Sequence, residues 1–379
     1  MSYVEMKRTL AVFTVLLAAT MVACGGGGDD GKGNGGGGAV DSGGAVDSGG
    51  AVDSGGAVDS GGAVDSGGGG SDAATGGAPV VQVEATYKVN KSTHTYAKGL
   101  SHKSWRGEVA KTMDLILDVY EPEGAPAGRP AVILIHGGSF IGGSRKTGWC
   151  LDFAEHFASR GFVVASIDYR VAGDFGTLPE NWFKYTEGLE GVTDKQREQV
   201  RAMYPAARDA KAAVRWLHAN AETYKIDPGF FSVIGGSAGS YITIAMGVTD
   251  AEDFRDELTA AEDSTLASTN LDAAADVHTI VDHWGGVTIV EVLAALDKRD
   301  RFDDKDAPVS IIHGTADPTV PFTEAEKLKA AYEGTGVPFD WHPVQNGKHA
   351  IWGKQIDGKS LDELAFAFVL KQQGLGTNP

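Results

Sequence analysis

The sequence is poor in cysteine, with only Cys24 and Cys150 among 379 residues. Two distant cysteines give no Cys–His cluster with the spacing of a zinc site, so we expect no metal centre. A disulfide-stapled scaffold is also excluded, because no intramolecular disulfide forms if Cys24 is modified as argued below. Cys150 follows Trp149 in an apolar context, which is typical of a small buried hydrophobic side chain.

Positive charge is also scarce, since 33 lysines and arginines face 51 aspartates and glutamates, for a formal net charge of −18. Such acidity argues against nucleic acid or an anionic membrane surface as a partner. It suits a protein that is soluble outside the cell.

The uncharged run at residues 10–23 is only fourteen residues long. A bilayer needs about 20 apolar residues, so this run is too short to span one comfortably. Following Lys7 and Arg8, it is typical of a secretory signal. Its end, M-V-A-C at 21–24, resembles a bacterial lipoprotein signal in which Cys24 becomes the lipidated N-terminus after cleavage. The alternative is an ordinary signal peptide in which Cys24 has no special role.

Residues 25 to about 79 are nearly all glycine, alanine, serine and aspartate, and A-V-D-S-G-G occurs five times from Ala39. This composition has too little apolar mass to offset the entropy of ordering. A calcium-binding repeat is a poor alternative, because one carboxylate per six residues provides too few ligands for an ion that takes six to eight oxygens. We predict a signal peptide at 1–23, a disordered tether at 24–79 and a folded domain at 80–379, held by lipid at the cell envelope.

Residues 235–239 read G-G-S-A-G, between the apolar run 230–234 and the small-residue stretch 241–248. A G-x-S-x-G motif with a strand before it and a helix after it places the serine on a tight, strained corner. Its hydroxyl is then exposed near a helix N-terminus, where developing negative charge is favoured. Ser237 is therefore a candidate nucleophile.

A nucleophilic serine requires a histidine base and an acid that orients it, and after this motif their order along the chain is acid, then histidine. Residues 309–318 predict a strand and then a turn that ends at Asp317 before a proline. The turn N-G-K-H ends at His349. Because the carboxyl ends of parallel strands share one sheet edge, we expect Ser237, Asp317 and His349 to meet there.

Other acids and histidines compete for these roles. Asp282 is the serious rival acid, since it ends the apolar stretch 279–281. Four histidines fit less well: His313 lies inside the strand before Asp317, where we expect it to pack or hydrogen-bond, His342 lies inside another predicted strand, and His278 and His283 precede the expected acid.

The strand-like segment 131–135 runs into H-G-G-S-F at 136–140. Adjacent glycines allow the backbone to approach a bound carbonyl and aim N–H groups at it. We predict an oxyanion hole from the N–H groups of Gly137, Gly138 and Ala238, the last being the residue after the nucleophile. A plain strand-to-loop turn is the alternative.

With these residues together, the chain resembles α/β-hydrolase esterases, most of all the H-G-G-G-type branch of hormone-sensitive-lipase-like bacterial esterases and small carboxylesterases. The resemblance covers about residues 105–370 and implies Ser237 as nucleophile, His349 as base and Asp317 as acid. Two departures stand out, because many relatives have glycine where Ser139 and Ser240 stand here. The matching segments are 136–140, D-Y-R at 168–170, Y-P-A-A-R-D at 204–209, 235–239, H-G-T-A-D at 313–317, and His349.

Strand-like and helix-like segments alternate, which predicts a mostly parallel sheet covered by helices on both faces, the α/β-hydrolase fold. Two insertions, 173–203 and 250–275, interrupt the pattern, and the second is expected to be helical in part. The first is a candidate cap element, with a solvated surface excursion as the alternative. Predicted strands are 115–120, 131–135, 162–168, 231–235, 280–284, 309–313 and 339–343; predicted helices are 152–160, 206–220, 324–332 and 361–371; expected pocket aromatics are Phe140, Tyr241, Trp284 and Trp352.

These features together predict a serine esterase that needs no cofactor and acts on short-chain, carbohydrate or aryl esters outside the cytoplasm. Its partners would be a small-molecule or polymer ester and, through the lipid, a membrane. A peptidase of the same fold is one alternative, although such enzymes usually carry a large extra domain. A catalytically silent surface binding protein is the other.

Overall fold

A computed structural model describes residues 77–379, and the segments predicted to be a signal peptide and a tether lie almost wholly outside them. An eight-stranded sheet forms the centre, in the order β2-β3-β5-β4-β6-β7-β8-β9, and the pairs from β5 to β9 are parallel. A small parallel pair, β1 with β10, lies apart from it. The strands are β1 Val80–Gln82, β2 Val89–His102, β3 Val109–Pro122, β4 Arg129–Ile135, β5 Val163–Ile167, β6 Ile226–Gly236, β7 Thr279–His283, β8 Val309–Gly314, β9 Phe339–Val344 and β10 Gly376–Asn378.

Helices cover both faces of the sheet. Along β4 the side chains alternate between two separate apolar clusters, with Ile133 in one and Leu134 in the other, as the period of a strand requires. Helices α1 and α8 pack in the cluster of Leu134, whereas α3, α5, α6 and α7 pack in the cluster of Ile133. The helices are α1 Gly148–Ala158, α2 Glu180–Glu187, α3 Asp194–Ala219, α4 Ala221–Tyr224, α5 Ala238–Val248, α6 Thr288–Asp297, α7 Thr323–Thr335 and α8 Leu361–Gln373.

This architecture confirms the predicted fold class: the domain has the α/β-hydrolase fold, with a mostly parallel sheet between two helical layers. The sequence did not reveal β2, because its buried residues are confined to its second half and most of its first seven residues are exposed polar side chains. An edge strand with such a surface has no apolar alternation to recognise. Among residues 77–379, no helix combines the length and apolar character that crossing a bilayer requires.

The helix predicted at 206–220 begins twelve residues earlier, at Asp194. Thr193 caps it, since its hydroxyl accepts the Gln196 N–H at 3.3 Å while the Gln196 amide oxygen accepts the Thr193 N–H at 2.8 Å. Pro205 lies inside the helix and obscured its continuity in the sequence. The first insertion, 173–203, therefore contains α2 and the start of α3, joined by loops.

The second insertion, 250–275, was expected to be partly helical, and this expectation is wrong as regards α-helix. Its described residues form turns and a single short 3₁₀ segment, Leu266–Ser268. Aspartate and glutamate side chains bond backbone N–H groups there instead, as when Asp253 accepts from Asp250 and Glu257 from Phe254. Such local bonds compete with helix formation.

Candidate active site

Ser237 occupies the turn between β6 and α5, with φ 54° and ψ −121°. This is a strained conformation for a residue with a side chain, and the surrounding chain must enforce it. The Ser237 N–H donates to the His283 carbonyl at 2.9 Å, which ties the turn to the end of β7. The adjacent helix start is equally tight, because a Cβ on Gly239 would lie 2.0 Å from the Ile135 carbonyl oxygen. The glycines of the motif are thus required by close backbone approach.

Ser240, one of the two departures from the resembled esterases, strengthens this turn. Its hydroxyl donates to the Gly235 carbonyl at 2.8 Å and accepts the His283 N–H at 2.8 Å. Gly285 leaves room for the Ser240 side chain, because a Cβ at position 285 would lie only 2.3 Å from the Ser240 Cβ. The extra bulk behind the turn is therefore accommodated and bonded.

The structure brings Ser237, Asp317 and His349 together at the carboxyl edge of the sheet. His349 Nε2 lies 2.9 Å from Ser237 Oγ, and His349 Nδ1 lies 2.7 Å from Asp317 Oδ2. Asp317 follows β8 and His349 follows β9, so neighbouring strands deliver the two side chains. The three groups form one hydrogen-bonded line from carboxylate to hydroxyl.

The Asp317 carboxylate is fixed from both sides. Its Oδ1 accepts the N–H groups of Thr319 at 2.7 Å and Val320 at 3.0 Å. Burial alone would raise the pKa of Asp317, but His313, His349 and the Thr319 N–H hold it well below its ordinary value. The group is therefore an anion, and it holds the His349 ring with its Nδ1–H toward the acid.

His313 is a neighbour of this carboxylate. It is fully buried in β8, as the sequence suggested, and its Nε2 donates to the Val320 carbonyl at 2.9 Å while lying 3.5 Å from Asp317 Oδ2. Burial lowers the pKa of His313, but Asp317 and Asp282 outweigh that effect and raise it. The two carboxylates thus favour the protonated form of His313.

The rival residues are engaged elsewhere. The Asp282 carboxylate accepts the Gly285 N–H at 2.7 Å and is fully buried, which raises its pKa to about 6. His283 Nδ1 donates to the Gly235 carbonyl at 3.0 Å, and burial lowers its pKa to about 4. His278 Nδ1 accepts the Phe231 N–H at 3.1 Å. His342 lies half-buried within β9.

The predicted oxyanion loop runs beside the serine. A Cβ on Gly137 would lie 3.3 Å from the Ser237 Cβ, and one on Gly138, at φ 123°, would lie 2.1 Å from the Gly142 carbonyl oxygen. Within the described chain, no backbone carbonyl accepts the N–H groups of Gly137, Gly138 or Ala238. Gly137 and Ala238 therefore flank Ser237 closely, and the oxyanion hole itself stays a prediction.

The loop is braced by side chains that sequence reasoning did not assign. The His136 ring stacks on Tyr169 with centroids 4.3 Å apart, and the Tyr169 hydroxyl donates to the His136 carbonyl at 2.9 Å. His136 Nδ1 donates to the Gly137 carbonyl at 2.7 Å, and burial lowers the pKa of this imidazole. Gln199 of α3 donates to the carbonyl of Ser139, whose φ is 57°. The first insertion therefore supports the loop.

The D-Y-R segment and the Y-P-A-A-R-D segment in the middle of α3 meet in a buried ion pair. Arg170 and Asp209, each 2% exposed, approach to 2.6 Å, and the Arg170 N–H also donates to Asp209 at 2.9 Å. This pair holds the segment after β5 against α3. The same segment carries Tyr169, which bonds the His136 carbonyl.

The four expected pocket aromatics divide into two groups. Phe140 and Trp284 are buried, at 3% and 1% exposure, and so are mostly packing residues. Tyr241 and Trp352 keep partial exposure near the serine. Trp352 stacks on Trp149 with centroids 4.3 Å apart, and a Cβ on Gly236 would lie 2.5 Å from its ring. Trp352 therefore lines the candidate active site beside the Ser237 turn.

Cys24 lies outside the described residues, and its lipidation stays a prediction. Cys150 is fully buried in α1, in agreement with its interpretation as a small core side chain. Among residues 77–379, no group of three or more His, Cys, Asp or Glu is arranged to hold a metal ion.

Comparison with known proteins points to esterases. The family model described as BD-FAE matches residues 117–180 and 192–301, which include the serine turn. Human carboxylesterase 3 is 32% identical over 132 residues, covering 34% of this chain and 19% of the relative. This chain thus spans about a fifth of the length of the first curated relatives that it matches.

Two solved structures share the fold. A truncated carbohydrate esterase from gut microbiota superposes with a TM-score of 0.52 at 21% identity, covering 78% of this chain and 99% of that one. Esterase 2 of Thermogutta terrifontis, solved phosphorylated by paraoxon, gives 0.51 at 22% identity, covering 74% and 94%. At such identities these similarities establish the α/β-hydrolase fold.

Proposed function

We propose that this protein is a serine carboxylic-ester hydrolase. The observation that carries the proposal is the line of hydrogen bonds from Asp317 through His349 to Ser237, with 2.7 Å and 2.9 Å between the paired atoms. An anionic acid, an oriented imidazole and a hydroxyl on a strained corner are the parts that acyl transfer by serine requires. The similarity to esterases supports the same class of substrate.

In the proposed reaction, Ser237 Oγ attacks the ester carbonyl carbon while His349 Nε2 takes the hydroxyl proton. Asp317 stabilises the imidazolium that results and keeps Nδ1–H in place. The N–H groups of Gly137, Gly138 and Ala238 stabilise the negative charge that develops on the carbonyl oxygen. The tetrahedral intermediate then expels the alcohol, which receives the proton from His349.

Water completes the cycle. His349 removes a proton from a water molecule, which attacks the acyl-enzyme carbonyl, and the second tetrahedral intermediate collapses to the carboxylic acid. Ser237 Oγ leaves and regains its proton from His349. The net reaction is ester plus water to acid plus alcohol, without metal or redox chemistry.

We propose short-chain, carbohydrate or aryl esters as the substrate class. Trp352 stacks on Trp149 beside the serine turn, and the partly exposed Trp352 and Tyr241 offer flat apolar surfaces to a ring or a small acyl group. The shared fold with a carbohydrate esterase fits this class. A peptidase would instead have to accommodate an amide and the flanking chain.

The test is kcat/KM of the purified protein on p-nitrophenyl esters from acetyl to palmitoyl, with an aminoacyl anilide alongside. We expect cleavage that is fastest at short acyl chains and falls by about 10⁴-fold or more in Ser237→Ala. Asp282→Asn is the matched control and should retain activity, because Asp282 bonds Gly285 and not His349. Anilide cleavage without ester preference would favour the peptidase, and an inert folded protein would favour the binding protein.

We further propose that the enzyme acts outside the cytoplasm and is held at the cell envelope by a lipid attached to Cys24. The support is the basic start, the apolar run 10–23 and the M-V-A-C ending. In a bacterial host, radiolabelled palmitate should be incorporated into the wild-type chain and not into Cys24→Ser. Equal labelling of the two would refute the anchor and leave the esterase proposal standing.

A further inference from the structure

A polar cavity lies away from the serine turn, at the opposite end of α5. Its volume is about 270 Å³, and it opens between α3, the end of α5 and the segment 273–277. Ser237 precedes α5, while Met246 and Gly247 near the other end of that helix line the cavity. Eleven helical residues at 1.5 Å each separate the two sites by about 16 Å.

Arg215 lines this cavity with an unsatisfied guanidinium. The side chain is 1% exposed, and its Nε donates to the Thr269 carbonyl at 2.9 Å. Its Nη1 and Nη2 are buried and bond no described residue. Two parallel donors of a buried arginine form a fork that matches two oxygens of a carboxylate or a phosphate. Leaving them unpaired in the protein interior would cost several kcal/mol.

Other cations reinforce the positive charge around this fork. Lys211, 2% exposed, donates to Thr249 Oγ1 at 3.1 Å and also to the Asp250 carbonyl, while the exposed Lys305 lines the rim. Burial lowers the pKa of Lys211 to about 8. Burial, followed by the charges of Arg208 and Arg255, lowers the pKa of Arg215 to about 10.

The nearby carboxylates have other partners. Arg255 binds Asp256 through two bonds of 2.7 Å, Arg299 binds Asp250, and Glu257 accepts the Phe254 N–H at 2.7 Å. Asp276, at the exposed rim, is the carboxylate that opposes an incoming anion. The acids that reduce the local positive charge therefore do not satisfy the Arg215 fork.

We propose that this cavity is a binding site for a small oxyanion, a phosphate or a carboxylate group, held by the two terminal nitrogens of Arg215. Lys305 provides long-range attraction at the entrance, and Lys211 contributes its buried charge. Several of the other lining residues are small, with Gly247, Ala251 and the alanines of segment 273–275, which leaves room for an oxyanion beside the Arg215 side chain.

The proposal is independent of the esterase activity and is tested by isothermal titration calorimetry of the purified protein. One arm uses inorganic phosphate, one uses acetate, and a third uses chloride at matched ionic strength. We expect saturable one-to-one binding of phosphate or of acetate, and the stronger of the two identifies the source of the oxyanion. Binding of neither, or the same heat with chloride, would overturn the proposal.

The anion affinities of variants distinguish binding by the Arg215 guanidinium from a general effect of positive charge. Arg215→Gln should abolish saturable binding, and Lys305→Gln should weaken it by about two- to five-fold. Lys305 is exposed, so its variant remains informative if Arg215→Gln fails to fold. Arg129→Gln is the matched control, since Arg129 is also buried but is fully bonded to Glu121 and to the Ala125 and Pro126 carbonyls. Unchanged affinity in Lys305→Gln, or equal loss in Arg129→Gln, would contradict the assignment.

Discussion

Gln199 donates its side-chain amide to the Ser139 carbonyl at 2.9 Å, which joins helix α3 to the loop that passes Ser237. Ser139 and Phe140 both have a left-handed backbone, at φ 57° and 59°. Many resembled esterases have glycine at 139, where such a conformation costs nothing. Here a bond from the first insertion helps to hold the loop in that shape.

Gln199→Ala should therefore lower kcat on a short-chain ester by about 3- to 10-fold, with a smaller change in KM. The reason is that a looser loop presents its N–H groups less well to the charge that develops in the transition state. Gln196→Ala, in the same helix, is the control and should lower the free energy of unfolding without lowering kcat. Equal kinetics for Gln199→Ala and the wild type would show that the loop needs no such support.

Asp317→Asn should lower kcat by about 10⁴-fold at neutral pH, because an amide cannot hold the His349 Nδ1–H or stabilise the imidazolium. Asp282→Asn should stay within about 10-fold of the wild type. The measurement is kcat on p-nitrophenyl acetate for the two variants side by side. The reverse ranking would make Asp282 the acid.

Asp306 predicts a pH-dependent stability. Burial, aided by Asp303, Asp250 and Asp300, raises its pKa to about 8, so the folded state binds this proton more tightly than the unfolded state. Its contribution to the free energy of unfolding is full below about pH 4 and is lost as the pH rises toward 8, by up to about 1.4 kcal/mol per pH unit.

Asp306→Asn cannot ionise, and its advantage over the wild type in denaturant unfolding should grow between pH 4 and pH 8. Asp304→Asn, at an exposed neighbouring position, is the control and should show no such growth. A stability difference for Asp306→Asn that stays constant with pH would contradict the raised pKa.

Ser240→Ala should lower the free energy of unfolding by about 1–3 kcal/mol, because the Gly235 carbonyl and the His283 N–H both lose a buried partner. Urea denaturation monitors the change, and Ser144→Ala, on a partly exposed loop, provides the comparison. An effect no larger than that of Ser144→Ala would mean that the turn is held without this hydroxyl.

The sequence predicted the features that depend on short motifs and apolar strands. The glycines around Ser237 mark backbone contacts that admit no side chain, and the buried parallel strands β4, β6 and β8 read as continuous apolar runs. Chain order then placed Asp317 and His349 at the same sheet edge. Because these signals are local, a single sequence was sufficient to find them.

The missed features depend on contacts between distant residues. Gln199 supports Ser139 from 60 positions away, and nothing in either local sequence marks the pair. Strand β2 forms by pairing with β3, which its own sequence does not indicate. The start of α3 was missed because Pro205 lies inside the helix and the preceding residues are mostly polar. The Arg215 cavity likewise arises from four separate segments, so only the folded chain shows it.

Paraoxon tests directly whether Ser237 is the nucleophile, since it phosphorylates esterase 2 of Thermogutta terrifontis, which shares the fold. The wild-type protein and Ser237→Ala would each be treated with paraoxon. The intact mass would be measured by mass spectrometry, and the labelled peptide would then be located after digestion. We expect one diethylphosphoryl group on the wild type, located on the peptide that contains Ser237, and none on the variant. A folded wild-type protein without label, or equal labelling of Ser237→Ala, would contradict the assignment of Ser237 as nucleophile.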